Sequence, residues 1–337
     1  MSGLHPLAER LPTTFPRKVF ALADDNVWCP SPIRDAQGRY HLFFSRWPKA
    51  RSHDAWVTDS RVSRAEADSP TGPWRVCGDV LPPRPERELW DADVTHNPHL
   101  LEAGGRYYLY FTGNRGSGFW QDSDDRPSMS HPEWWINRNN QRVGVAWADH
   151  IEGPWHRSDR PLMEPPPGYR TTGTPFVLVR PDGRWQMVFK AVAEDGTQLG
   201  GPVRHFVALS EHPLGPFRIL PDPLFPSTRS TFPVDDHCQW FEDGTYWCLA
   251  KDNGESIAGY SPCLLLFTSP DGLKWHPFEP HFTIPFKIHW TDGGSTAFER
   301  LEMPKFLFSE GRPEVLFLAS LPKGEDVSYC TMVQLHP

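Results

Sequence analysis

No run in this 337-residue sequence approaches the roughly 18 apolar residues that a membrane-spanning helix needs. A basic surplus is missing too: 34 Lys and Arg face 42 Asp and Glu, for a net charge of −8, and neutralising phosphates takes a basic face. Neither a membrane nor a nucleic acid is therefore an expected partner. Cysteine is scarce. The six (Cys29, Cys77, Cys238, Cys248, Cys263 and Cys330) form no CxxC pair and no zinc spacing, so reduced, mostly buried thiols are expected. The opening ten residues lack the basic-then-apolar profile of a secretory leader, and a cytoplasmic location is expected.

Aromatic residues, by contrast, are plentiful, with 15 Trp, 8 Tyr and 21 Phe, too many for a disordered chain. The 26 Gly and 37 Pro are spread along the whole length, as short strands joined by many turns require. Five segments repeat one template, in which an apolar run, usually behind a Pro, a turn and an aromatic run follow in order: Ser31 to Phe44, Asn97 to Phe111, Thr174 to Phe189, Asp236 to Leu249 and Met303 to Leu318. A weaker hairpin follows each of the first four, at Gly72-Pro73-Trp74, Gly153-Pro154-Trp155, Gly215-Pro216-Phe217 and Gly272 to Trp275. Four short strands recurring at the landmarks Tyr40, Tyr107, Trp185, Tyr246 and Val315 describe propeller blades. The expected fold is all-β: one five-bladed β-propeller domain over residues 1–337, four antiparallel strands per blade, with blades near 27–80, 90–160, 170–222, 232–280 and 298–337. The last blade is short, so the stretch around Lys18 to Leu22 is expected to supply its missing strand and close the ring.

In a propeller the first strand of each blade lines the central channel and the second returns to the same face. Two sets of residues should meet there. One lies at and before the in-strand Pro: Pro30 and Ser31, His96 and Asn97, Gly173 and Thr174, Asp235 and Asp236, Glu302 and Met303. The other follows the return strand: Ser45-Arg46-Trp47, Gly113-Asn114-Arg115, Lys190, Lys251-Asp252-Asn253 and Ser320. Charged groups at the narrow end of a greasy core need a reason, because desolvation disfavours them. Upstream of blade two, Asp91, Asp93 and Asn97 share a side if extended, which would bring acids from three blades to one mouth. Carboxylates facing one another push their pKa values apart, so one keeps a proton while another stays ionised, the requirement for cleaving a glycosidic bond. The competing reading is that these acids hold a structural divalent cation in the channel or pair with Arg46, Arg115 and Lys251.

The stretches Gly38 to Pro48, Thr95-His96-Asn97-Pro98, Val234-Asp235-Asp236-His237 and Leu301-Glu302-Met303-Pro304, in this order on a fivefold repeat, resemble the five-bladed glycoside hydrolases of families 43 and 117. The resemblance implies an Asp-Asp-Glu catalytic set, with Asp236 matching the Asp of Glu-Asp-Pro-type motifs and Glu302 the Glu of Glu-Arg-Pro-type motifs. Two departures stand out. Ser31 occupies the blade-one position read as the family 43 Asp before Pro, and Met303 replaces the Arg after the Glu. Family 117 enzymes use a His as acid; His289 and His96 are the candidates here.

The catalytic expectation is Asp93, Asp236 and Glu302, with His96 as a further proton donor. Substrate would be held by Asp91, Asn97, Asp235, His237, Arg46, Lys190 and Lys251, with Trp47 and Trp90 (and Trp28) stacking on a sugar. The expected activity is exo hydrolysis of a terminal sugar from an oligosaccharide or glycoside, with inversion and no required cofactor. Two alternatives stand beside it: a phosphorylase using Lys190, Lys251 and Arg46, and a non-catalytic carbohydrate-binding propeller. The aromatic insertion from Arg115 to Asn140 should rim the pocket or contact a second subunit as a homo-oligomer.

Overall fold

Five times along the chain an apolar strand is interrupted by one residue in the left-handed region: Cys29, Asn97, Thr174, Asp236 and Met303, with φ between 50° and 53°. At each, the pairing with the next strand skips, between Trp28 and Ser31, His96 and His99, Gly173 and Phe176, Asp235 and Cys238, and Glu302 and Lys305. The computed structural model, which describes residues 6–336, arranges these strands as the innermost of five sheets. Residues 1–5 of the segment expected to lack a leader, and Pro337, lie outside the described residues.

The inner strands are Asp25–Arg34, Val94–Ala103, Gly173–Val179, Val234–Glu242 and Ser295–Ser309. Each packs beside the next, and the fifth packs beside the first, so the sheets close into a five-bladed propeller. Within every blade the strands run outward antiparallel in sequence order, because short turns link neighbours. Blade five departs as expected: its outermost strand is Lys18–Phe20, paired in register with Cys330 to Met332 of Tyr329–Gln334. Two short additions were not foreseen, Thr283–Pro285 on blade four and Lys287–His289 on blade five.

Apolar side chains fill the wedges between blades. Blades five and one share Phe20, Val27, Leu42, Phe44, Leu307, Phe317 and Met332, and blades two and three share Tyr110, Val143, Val177, Met187 and Phe189. The Gly-Pro-aromatic turns are tight for a steric reason. Gly72 has φ 87°, and a Cβ there would lie 2.8 Å from the Trp74 ring, so the ring folds back over its own turn. Among the described residues no helix is long and apolar enough to cross a membrane.

Ring closure depends on one buried aromatic at the chain's start. Phe20 meets Phe44 edge-on with centroids 5.0 Å apart and lies near Trp74. Phe20→Ala should destabilise the fold by about 3 kcal/mol, read from the urea midpoint at unchanged m-value; no change would show that the closing strand contributes nothing.

Candidate active site

The shared break defines two rings of five residues. The residue before it in each blade pairs with the return strand: Trp28 with Ser45, His96 with Thr112, Gly173 with Lys190, Asp235 with Lys251 and Glu302 with Ala319. Below lie the left-handed residues, partly joined by hydrogen bonds. The Cys29 thiol donates to Asn97 Oδ1 at 2.6 Å, Asn97 Nδ2 to Thr174 Oγ1 at 3.0 Å, and the Met303 N–H to Asp236 Oδ2 at 3.3 Å. This register corrects the expectation for blade one. The residue aligned with Asn97 and Asp236 is Cys29, not Ser31, which sits two residues deeper and accepts the Leu100 N–H.

The charged groups collect at blades four and five. Lys190 Nζ lies 3.3 Å from Asp235, and His205 Nε2 lies 3.2 Å from the same carboxylate. Lys251 donates to Glu302. Burial works to raise the pKa of both acids, but Lys190 and His205 outweigh it at Asp235, and Lys251 with Arg300 outweighs it at Glu302, so both are held low and ionised. Asp236 goes the other way. Burial first, then the charges of Asp235 and Glu302, push it up to about 8. Two ionised carboxylates and one protonated carboxyl therefore occupy one dry cluster.

Several expected members stand elsewhere. Asp91 is fully buried between Arg84 at 2.8 Å and Arg157 at 3.3 Å, a structural ion pair of blade two's rim. Asp93 pairs with Arg87 at 3.3 Å and accepts the Gly116 N–H at 2.7 Å, which anchors the start of the insertion. Neither has a contact with the Asp235–Asp236–Glu302 cluster among the described residues. Arg46 is held by Asp25 and Asp79 within blade one. Trp47 is fully buried, with its indole N–H on the Ser52 carbonyl, and its ring supports His53 and His96. Trp90 stacks on Phe111 over Gly113 and Gly144, where any Cβ would come within 2.5 Å of its ring. These two tryptophans are therefore scaffold, not sugar platforms.

His96 does reach the mouth-side ring, but as a neutral group. Burial first, then the charges of His53 and Lys190, lowers it to about 3, and its Nδ1 lies 2.7 Å from the Ser60 hydroxyl. Near neutral pH it therefore carries a single N–H and no imidazolium charge. His289 sits exposed on the added edge strand of blade five, away from the rings. His237 takes the place held by Pro30, Pro98, Pro175 and Pro304 in the other blades; its ring lies 4.3 Å from His205, and neither ring nitrogen has a hydrogen-bond partner within the described residues.

Three groups near the mouth were missed because they lie outside the repeat. The turn after blade one's second strand supplies His53, which burial and then Arg300 lower to about 4, and Trp56, half-exposed and tilted against His96 at 5.2 Å. Phe232 lies under Lys190 at 5.4 Å. The Arg115–Asn140 insertion, which holds the short helices Phe119–Asp122 and Pro132–Asn139, backs that turn: Trp134 donates to the Asp54 carbonyl, and Arg51 binds the Ser123 and Asp125 carbonyls.

Deeper in the channel Lys305 is fully buried, its Nζ 3.3 Å from His99 Nδ1 and 4.1 Å from the Phe176 ring. A divalent cation does not fit beside that ammonium, and among the described residues no group of three or more His, Cys, Asp or Glu side chains could hold a metal. A cavity of about 800 Å³ opens on the face opposite the acids, with Lys305 and His99 at its inner end.

No family model matches the chain. One curated relative, the extracellular endo-alpha-(1->5)-L-arabinanase 2 of Bacillus subtilis strain 168, is 27% identical over 169 residues, 48% of this chain and 30% of the relative. The match thus spans under a third of that relative's length. Among solved structures, one described as a glycoside hydrolase superposes with a TM-score of 0.70 at 17% identity, covering 97% of this chain and 92% of the other. A family 117 glycoside hydrolase from Zobellia galactanivorans superposes with a TM-score of 0.61 at 15% identity, covering 95% and 91%. These superpositions show a shared five-bladed fold.

The reassignment of Asp91 is directly testable. Asp91→Asn leaves the largely buried Arg157 without its ion-pair partner and Arg84 with Asp159 alone, and should cost about 3 to 5 kcal/mol of stability. A thermal unfolding midpoint equal to that of the unaltered protein would return Asp91 to the list of free mouth residues.

Proposed function

We propose that this protein is a glycoside hydrolase that removes a terminal sugar from an oligosaccharide or glycoside. The arrangement that supports it most is the buried cluster itself: Asp235 lies between Lys190 and His205, Glu302 is bound by Lys251, and among the described residues Asp236 beside them bonds only the Met303 N–H, which favours its protonated form. Breaking a glycosidic bond takes a proton for the leaving oxygen and an ionised carboxylate for the water or the anomeric carbon. Asp236 suits the first role and Glu302 the second. Asp235, fixed by Lys190 and His205, keeps Asp236 protonated by its own negative charge.

Two finer features belong to the same proposal. Exo action fits a mouth walled on one side by the His53–Val57 turn and the tryptophan-bearing insertion behind it. Inversion belongs to the same proposal: Asp236 is turned to the Met303 N–H and Glu302 to Lys251, so different partners hold the two carboxyls, and a water attacking between them takes a separation of about 6.5 to 9.5 Å. The named relative acts on an arabinan, and the solved structures include glycoside hydrolases, which favours a glycan substrate for this chain as well. Proton NMR of the first-formed product tests the stereochemistry; a retained anomer would favour a covalent route through Glu302.

Glu302→Gln should lower kcat on aryl glycosides by about 10²- to 10⁴-fold while sugar binding persists. An unchanged rate would remove Glu302 from the mechanism. The pH profile should be a bell, because activity needs Asp236 protonated and Glu302 ionised. Rates should fall above about 8, and fall again as pH drops through the lowered Glu302 value. Asp236→Asn should abolish the alkaline limb, and a limb surviving in that variant would assign it to another group.

A further inference from the structure

Arg300 is a cation beside the mouth for which no counter-ion is found among the described residues. It lies two residues before Glu302 on the innermost strand of blade five. The pairs Arg300 with Leu321, Leu301 with Ser320 and Glu302 with Ala319 follow without a skip, so Arg300 and Glu302 share a face. It is half-buried and makes no hydrogen bond or ion pair among the described residues. Its charge acts on both His53 and Glu302, so it lies near the rim turn as well as the acids. The nearby rim acid, Asp326, is engaged by Arg126 at 2.9 Å and by the His53 N–H at 2.9 Å.

Lys190 is matched by Asp235 and Lys251 by Glu302, while Arg300, on the same face as Glu302, has no ion-pair partner of its own among the described residues. A neutral sugar offers this guanidinium only hydroxyl acceptors, which leave its charge unmatched. A carboxylate or a phosphate would take it up in a two-pronged, charge-assisted hydrogen bond.

We propose that Arg300 binds an oxyanion of the reacting partner, carried either as a carboxylate on the substrate sugar or as inorganic phosphate. The inference rests on the cleavage of a glycosidic bond in that reading, and adds the class of its sugar substrate or of the nucleophile that replaces water. In the carboxylate case Arg300 positions the sugar while water attacks. In the phosphate case a phosphate oxygen forms the new bond to the anomeric carbon, the bond to the leaving oxygen breaks, and that oxygen takes the Asp236 proton.

The test uses the full chain with Arg300→Gln and Arg300→Lys, and matched 4-nitrophenyl uronides and neutral glycosides, each with and without inorganic phosphate. A sugar-borne carboxylate predicts preference for the uronide without phosphate. Arg300→Gln should erase about 10- to 100-fold of kcat/KM, chiefly through KM, with partial recovery in Arg300→Lys. Phosphate as the partner predicts release of a sugar 1-phosphate from a neutral glycoside only when phosphate is present, again lost in Arg300→Gln. Neutral glycosides hydrolysed without phosphate as fast as uronides, and equally by Arg300→Gln, would overturn the proposal while leaving the hydrolase intact. If no glycoside of either charge is cleaved, the hydrolase reading fails, and calorimetric titration with galacturonate and with phosphate still decides Arg300. Binding to the unaltered protein that Arg300→Gln loses supports the site, and absence of binding overturns it.

Discussion

The left-handed residue in the middle of every inner strand is the constraint on which the rest of the structure depends. A regular strand would continue its alternation through the channel and present one side-chain set to each neighbouring blade. The break instead places two consecutive residues on consecutive levels of the ring, one at the mouth and one over the channel. For a residue other than Gly this conformation costs about 1 to 2 kcal/mol, and it persists where surrounding contacts over-determine it. Those contacts are visible here: Ser45 and Thr112 hydroxyls accept the N–H groups of Asn97 and Thr174, and the Asp236 carboxyl accepts that of Met303. Three of the five breaks are thus held by the preceding blade, which couples the local strain to the packing of blade on blade.

Because the breaks fix backbone positions, the electrostatics of the mouth follow from which side chain each blade supplies. Asp235 and Asp236 are neighbours in sequence and differ in every respect that matters to a proton. One faces Lys190 and His205; the other faces the channel, with a single backbone donor and two negative charges nearby. The Lys251–Glu302 pair bridges blades four and five and holds the second carboxylate ionised. Removing any one of these cations would alter the protonation of its neighbours, since the groups share one desolvated volume.

The periodic part of this arrangement was legible in the sequence, and the non-periodic part was not. Five inner strands, the closing strand at Lys18–Phe20 and the meeting of Asp235, Asp236, Lys190, Lys251 and Glu302 followed from the repeat, whereas the left-handed break within each strand did not. Blade one misled because Cys29 and Ser31 both precede a Pro, and only the strand register separates them. Asp91 and Asp93 misled because their partners, Arg157 and Arg87, belong to a fourth strand and a preceding loop that the motif does not include. His53 and Trp56 sit in a turn with no counterpart in other blades, so no period could place them. One signal was present and unused. His237 interrupts a column otherwise filled by Pro, in the blade that carries the paired acids.

The five mouth-side positions also divide the labour. Trp28, His96 and Gly173 of the first three blades carry no charge, and the ring of Trp56 stands over His96. Asp235 and Glu302 of the last two carry all the negative charge of that ring. A sugar has a matching asymmetry, with an apolar C–H face that favours aromatic and unionised surroundings and a set of oxygens that favours ions and donors. Keeping His96 and His53 neutral serves that division, because two imidazolium charges there would compete with Arg300, Lys190 and Lys251 for Glu302 and lower its basicity further. The burial that strips those rings of their protons is supplied by Trp47, Trp28 and the turn braced by the blade-two insertion. The aromatic half of the mouth therefore contributes to the chemistry of the acidic half without touching it, by excluding water and charge from one side of the ring.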